Sequence, residues 1–122
     1  MYIIHSVNKE EFENEIKFGK YVSLSIKKYG VIHCSDLDTY YLVAPNFRKY
    51  YSETIILFID TDKVEHEIKW EDVGGKDFPH IYGLLVHNAI VGIFLHLWSD
   101  DITLIPNEEL MLYAPDGLFR KK

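Results

Sequence analysis

Cysteine, arginine and long apolar runs are scarce in this sequence, and each scarcity excludes a class of protein. Cys34 is the only cysteine, so no internal disulfide can form and a reducing compartment is expected. Arginine occurs only at Arg48 and Arg120, and the net charge is −6. General nucleic-acid binding is therefore not expected, because it requires clustered cations against phosphates. The most apolar stretch, 89–98, is too short to span a bilayer, and no secretory signal pattern opens the chain, so we expect a cytoplasmic protein.

The remaining composition is that of a globular protein. Of the 122 residues, 48% are hydrophobic and 26% are charged, which permits a genuine core and excludes a disordered chain. No internal repeat, low-complexity tract or linker interrupts the sequence. Residues 1–122 are accordingly predicted to form a single domain.

Two helices are predicted in the N-terminal half. The first begins at Asn8, a capping residue, with Glu11 in the position of a capping box and Gly19 as the terminating glycine. The second begins at segment 35–38 and continues through a tyrosine-rich stretch that Pro45 interrupts.

Strand patterns account for most of the rest. Runs rich in β-branched and aromatic residues occur at 2–7, 31–34, 54–59, 67–70, 90–97 and 102–105. The segment Phe78–Gly83 is predicted to be a loop, because Pro79 and Gly83 are typical turn residues. Two early helices followed by several strands predict an α+β fold with small, mostly antiparallel sheets.

The segment around Cys34 contains three side chains that can carry chemistry. In a strand, His33 and Ser35 lie on one face and Cys34 on the other, so His33 is not placed to activate the thiol. Cys34 is interpreted as a small buried residue rather than a nucleophile. His33 and Ser35 are candidate contacts for a polar ligand, although Ser35 can equally serve only as the cap of the second helix.

Glu71, His80 and Tyr82 are the other candidates. Ordinary folding does not require a Pro-His-x-Tyr-Gly sequence, and His80 and Tyr82 point to one side if the segment is extended. A rigid turn with Tyr82 packed at the surface is the alternative, and Glu71 can be a simple exposed carboxylate. His5 is either a ligand contact or a core histidine. The spacing of the six histidines matches no zinc motif, so no metal site is predicted.

Six short motifs spread over the chain resemble the family known as domain of unknown function 952. They are Tyr2–His5, Gly30–Ser35, Asn46-Phe47, Lys69–Glu71, Phe78–Gly83 and Pro115–Gly117. The resemblance implies one domain of that type over residues 1–122, with Asn46 among the ligand-binding residues. Leu84 in place of a proline, Pro45 and a longer segment at 98–112 depart from the family pattern.

The order of elements is also similar to the ADP-ribosyltransferase-like fold. That resemblance implies that His5 and Ser35 hold a ribose of NAD, the candidate substrate, and that Glu71 binds its 2′-hydroxyl and stabilises the transition state. His80 or Tyr82 would then contact the acceptor or the leaving group. Such fold-level analogy does not establish an activity.

Two further hypotheses involve no catalysis. The same cleft, lined by His5, His33, Ser35, Glu71, His80 and Tyr82, can hold a small polar metabolite that it leaves unchanged. Alternatively, the tyrosines at 40, 41, 50 and 51 can form a protein-interaction surface. The oligomeric state is left open by the sequence.

Overall fold

The computed structural model describes residues 1–16, 20–21, 24–43, 54–98 and 102–113. The strands are β1 (Tyr2–Asn8), β2 (Lys20–Tyr21), β3 (Ile32–His33), β4 (Thr54–Asp60), β5 (Ile68–Val73), β6 (Lys76–Ile81), β7 (Leu85–Val86), β8 (Ile90–Trp98) and β9 (Ile102–Pro106). The α-helices are α1 (Lys9–Glu15), α2 (Leu24–Tyr29) and α3 (Tyr40–Val43), and short 3₁₀ helices occupy Thr61–Lys63, His87–Ala89 and Leu110–Tyr113. No helix in these ranges is long and apolar enough to cross a membrane.

A four-stranded antiparallel sheet in the order β1-β4-β8-β9 is the centre of the fold. Strand alternation divides its side chains between two apolar clusters. Ile55, Leu57 and Ile59 of β4 face the larger cluster, which also contains Phe12 of α1. Ile56 and Phe58 face a smaller cluster that includes Tyr40 of α3. Both faces of β4 are therefore covered, which explains its continuous apolar sequence.

A three-stranded antiparallel sheet in the order β3-β6-β5 carries the polar motifs, and β2 pairs separately with β7. A tight turn at Gly74 and Gly75 joins β5 to β6. Both glycines have positive φ angles, +66° and +95°, which side-chain-bearing residues rarely adopt. The Asp72 side chain accepts a hydrogen bond from the Gly75 amide at 2.8 Å and fixes the turn.

The α+β class and the antiparallel sheets are confirmed, but the predicted loop at Phe78–Gly83 was wrong. Residues 76–81 form β6, the central strand of the three-stranded sheet. The backbone of Pro79 faces the β3 side of the strand, where its carbonyl accepts from the Cys34 amide at 3.0 Å. Strand β3 ends at His33, so no strand pairing is lost there and proline is tolerated. The missing N–H of Pro79 therefore costs no pairing with β5.

The helix predictions were partly correct. The first helix is capped by Asn8, whose side chain accepts from the Glu11 amide at 3.1 Å. It ends at Glu15 with Ile16 as the C-cap, and the predicted terminating Gly19 lies outside the described residues. Of the second, the structure describes a turn held by Asp36 and Thr39 and the short α3 that follows; the continuation toward residue 51, including Pro45, lies outside the described residues. Helix α2 was not predicted, so the expected number of N-terminal helices was too low. Ser23, directly before it, is a typical capping residue and is the signal that could have identified α2.

Gly83 follows β6 in a place where no side chain fits. A Cβ atom on Gly83 would lie 2.2 Å from Cγ of His66. We expect Gly83→Ala to lower the free energy of unfolding by about 1–3 kcal/mol, because the His66 ring must move. The His66→Ala change removes the ring, so the double variant should recover most of the loss. Urea unfolding of the four proteins measures this coupling; a double variant as unstable as Gly83→Ala would show that the clash is not the cause.

Candidate functional site

One face of the three-stranded sheet gathers polar side chains from three separate motifs. In the strand register, His80 of β6 lies opposite His33 of β3 on one side and opposite Lys69 of β5 on the other. Directly opposite residues share a face, and alternation adds the residues two positions away. The polar face defined in this way consists of His33, Lys69, Glu71, His80 and Tyr82.

The Glu71 carboxylate is the centre of the polar face. Its Oε1 atom accepts from the Tyr82 hydroxyl at 2.5 Å and lies 2.9 Å from Nδ1 of His80. These two hydrogen bonds, Tyr82 first, hold the pKa of Glu71 below its ordinary value, and the same bond raises the pKa of Tyr82. The carboxylate is thus kept ionised between two donors.

The bond to Glu71 also selects the tautomer of a neutral His80 ring. An ionised carboxylate only accepts hydrogen bonds, so the hydrogen of a neutral His80 ring resides on Nδ1 and the lone pair on Nε2. Among the described residues, neither Nε2 of His80 nor Oε2 of Glu71 has a hydrogen-bond partner. The pair therefore has one ring nitrogen and one carboxylate oxygen without a protein partner in these ranges; His80 is 8% exposed, and the Glu71 side chain is 40% exposed.

His33 lies beside this pair and lines the β3 side of the polar face. Its ring meets the His80 ring edge-on with centroids 4.8 Å apart, and Tyr29 of α2 packs edge-on against it at 5.5 Å. Partial burial lowers the pKa of His33, and the neighbouring His80 lowers it further, while Glu71 partly offsets both. His33 consequently favours the neutral form, in which it can donate or accept a hydrogen bond.

Lys69 supplies a positive charge at the β5 side. Its Nζ atom lies 4.7 Å from the centre of the Tyr82 ring, a cation–π contact, and 3.6 Å from Glu67. Tyr82 therefore donates its hydroxyl to Glu71 while its ring faces Lys69. This arrangement restricts the tyrosine to one orientation.

His5 lies on the opposite, buried side of β3. Its Nδ1 is 2.7 Å from the His33 carbonyl oxygen, and its Nε2 is 3.2 Å from the Tyr21 hydroxyl. Because a carbonyl can only accept, Nδ1 carries the hydrogen and Tyr21 donates to Nε2. Burial lowers the pKa of His5 to about 4. Both ring nitrogens of His5 thus form hydrogen bonds within the protein, and one of these bonds holds the His33 backbone.

Ser35 and Cys34 are also buried. Ser35 is 2% exposed, and its backbone exchanges hydrogen bonds of 2.6 and 2.8 Å with Ile4. Burial raises the pKa of the Cys34 thiol, which removes the thiolate that a nucleophile requires.

The structure thus brings His33, Glu71, His80 and Tyr82 together, whereas His5 and Ser35 are buried, His5 against the His33 carbonyl and Ser35 against the backbone of Ile4. Asn46 lies outside the described residues. Within the described ranges, no three His, Cys, Asp or Glu side chains converge as metal ligands would. The ligand-binding and catalytic roles stay predictions.

Three residues that sequence reasoning did not assign to the site contribute to it. Lys69 could have been found, because it lies two positions before Glu71 and so shares its face in a strand. Tyr21 and Tyr29 reach His5 and His33 only through tertiary packing, and no local pattern signals those contacts.

The low pKa of His5 predicts a specific pH dependence of stability. Between pH 6.5 and 4 the unfolded chain binds a proton at this residue and the folded chain does not, so protonation favours unfolding as the pH falls. We expect the free energy of unfolding to drop by about 3 kcal/mol across that window because of His5 alone. Urea unfolding at several pH values measures the slope.

The variant His5→Asn retains an amide donor for the His33 carbonyl but cannot titrate. It should be less stable at pH 7, by about 1–3 kcal/mol, because Tyr21 loses its acceptor, yet its stability should fall less between pH 6.5 and 4. His66→Asn, at an exposed histidine, is the matched control. Equal slopes for His5→Asn and the wild type would contradict the assignment.

Comparison with known proteins agrees with this architecture. The crystal structure of protein CC0527 from Caulobacter crescentus superposes with a TM-score of 0.66 at 18% identity, covering 85% of this chain and 93% of that chain. The solution NMR structure of CC0527 gives a TM-score of 0.66 at 23% identity, covering 91% and 97%. At these identities the likeness shows a shared fold alone. No curated protein matches the chain.

The family relationship rests on a direct match of the sequence. The model of the family described as "Protein of unknown function (DUF952)" matches residues 6–93, which include β3, β5 and β6 and every member of the polar face. The chain belongs to the DUF952 family.

Proposed function

We propose that the polar face binds a small hydroxylated molecule, with Nε2 of His80 as the atom that exchanges a proton with it. The observation that supports this most directly is the double hydrogen bond to Oε1 of Glu71 from Tyr82 and His80. It orients the His80 ring, selects its tautomer and leaves Nε2 and Oε2 without a partner among the described residues. A histidine held by a carboxylate in this way is a common arrangement for general acid–base catalysis.

The side chains of the polar face favour hydroxyl groups as ligand atoms. Oε2 of Glu71 accepts a hydrogen bond, and Nε2 of a neutral His80 accepts another, so a ligand must offer donors. Lys69 and Tyr29 at the two sides can contact an oxygen atom and an apolar ring face, respectively. A sugar or a nucleoside combines hydroxyl donors with such faces.

Glycosyl transfer from NAD is the more specific version of this proposal. It is favoured by the position of Glu71, whose side chain is 40% exposed and whose second oxygen is available to a ribose hydroxyl. His80 or Tyr82 would contact the leaving group or the acceptor. In this version His5 and Ser35 do not contact the ligand, since both are buried. They act indirectly, by holding the backbone of the segment that carries His33.

A thermal-shift screen tests ligand binding. We expect NAD, ADP-ribose, a nucleoside or a free sugar to raise the melting temperature by roughly 3–6 °C at about ten times its dissociation constant. Nicotinamide, glutathione and zinc complete the panel as molecules that the proposal does not favour. The absence of any shift with the hydroxylated ligands would contradict the proposal.

The decisive variant is His80→Asn. Its amide can still donate to Glu71, as Nδ1 does, but nothing replaces Nε2, so it should fold normally and lose the ligand-induced shift. His87→Asn, at a histidine outside the polar face, is the control and should retain the shift. A full shift in His80→Asn would show that Nε2 does not contact the ligand.

Product analysis separates catalysis from binding. If a bound nucleotide is cleaved, Glu71→Gln should reduce turnover strongly, by roughly 100-fold or more, because the carboxylate charge is lost. A ligand that binds and is recovered intact identifies a binding module.

A further inference from the structure

The outer edge of β5 presents backbone groups with no strand beside them in the described part of the chain. In the sheet order β3-β6-β5, β5 has β6 on one side only. Trp70, in the middle of β5, is 41% exposed although it is a large aromatic residue. Exposed strand edges readily pair with another strand unless charges or prolines prevent it.

The register shows which residues of β5 direct their backbone groups to this edge. The Tyr82 amide donates to the Glu67 carbonyl at 2.9 Å, so the backbone of Glu67 faces β6. In an antiparallel ladder the direction alternates, and the backbones of Lys69, Glu71 and Val73 therefore also face β6. Those of Ile68, Trp70 and Asp72 face outward and are available for a second ladder.

The charges on β5 match this edge to a copy of itself. Lys69 and Glu71, of opposite sign, stand on either side of Trp70. We propose that β5 pairs antiparallel with β5 of a second copy of this chain, and that the pairing is centred on Trp70. The outward backbone groups of Trp70 then form hydrogen bonds with those of Trp70 of the partner subunit. This register places Lys69 opposite Glu71 of the partner subunit twice, once on each side of the two-fold axis.

The pairing produces one continuous six-stranded sheet. Opposite residues of paired strands share a face, so the polar faces of both subunits lie on the same side of this sheet. Lys69 of the partner subunit then lies beside Oε2 of Glu71, and the two Trp70 side chains form a cross-strand aromatic pair on the other side. The second subunit thereby contributes a cation to each polar face.

No other centre on this edge is equally favourable. A register centred on Ile68 also uses the outward groups and sets Lys69 opposite a glutamate, but it sets Glu71 opposite Glu65 of the partner subunit, a like-charge pair; one centred on Asp72 sets the two Asp72 side chains against each other. The contact is small, a single strand pair, so the dimer is expected to dissociate on dilution. The inference depends on the strand edge and not on the proposed ligand, so it can fail while that proposal stands.

The first test compares two lysine substitutions at equally exposed edge residues. Trp70→Lys places two like charges opposite each other at the two-fold axis, whereas Ile105→Lys changes a residue of β9 that is also 41% exposed. Sedimentation equilibrium over a wide concentration range should show a dimer for the wild type and Ile105→Lys. Trp70→Lys should dimerise at least about tenfold more weakly. A monomeric wild type, or a Trp70→Lys dimer of unchanged affinity, would overturn the proposal.

The second test uses charge reversal and controls for folding. Lys69→Glu and Glu71→Lys should each weaken self-association, because like charges then face each other. Mixed together, the two variants should form a heterodimer, since every facing pair is again of opposite sign. Circular dichroism establishes that each variant is folded. If the mixture associates no better than its components, the proposed register is wrong.

Discussion

The short segment of residues 32–35 connects the two main sheets, and the position of every other functional side chain depends on it. On one side the backbone of Ser35 bonds to Ile4 of β1, and on the other His33 pairs with His80 of β6. His5 adds a hydrogen bond from β1 to the His33 carbonyl, within the apolar interior between the sheets. This hydrogen bond is partly buried, so losing it would leave its donor and acceptor incompletely solvated. The polar face is therefore fixed relative to the core of the protein.

The charges within the polar face depend on the contacts among its side chains. Two histidines packed edge to edge disfavour simultaneous protonation, and burial disfavours the charged form of His33 further. Glu71 partly offsets the lowering of the His33 pKa, and it orients His80 by accepting its Nδ1 hydrogen. The face thus combines the Glu71 carboxylate, the Lys69 ammonium group and two imidazole rings, a set of donors and acceptors that suits hydrogen bonding to hydroxyl groups. Pairing of β5 between subunits would add a cation next to that carboxylate.

Much of the site could be predicted from the sequence because alternation along a strand is a local property. The shared orientation of His80 and Tyr82 was predicted in this way, and the opposite orientation of Cys34 from His33 agrees with the burial of Cys34. Glu71 was singled out by the family resemblance. The error at Phe78–Gly83 has a physical cause. Proline and glycine normally interrupt strands, but Pro79 lies where the neighbouring strand β3 has already ended. The sequence cannot show where a neighbouring strand ends.

Local sequence patterns were sufficient to predict the α+β class, the family, most strand positions and the residue types that can carry chemistry. These depend on periodicity, capping and short motifs, which act over a few residues. Only the tertiary structure decided that His5 is enclosed between the His33 carbonyl and Tyr21 whereas His80 lies at the polar face against Glu71. Both histidines are buried, at 7% and 8% exposed, but their hydrogen-bond partners differ, and no local pattern specifies those partners.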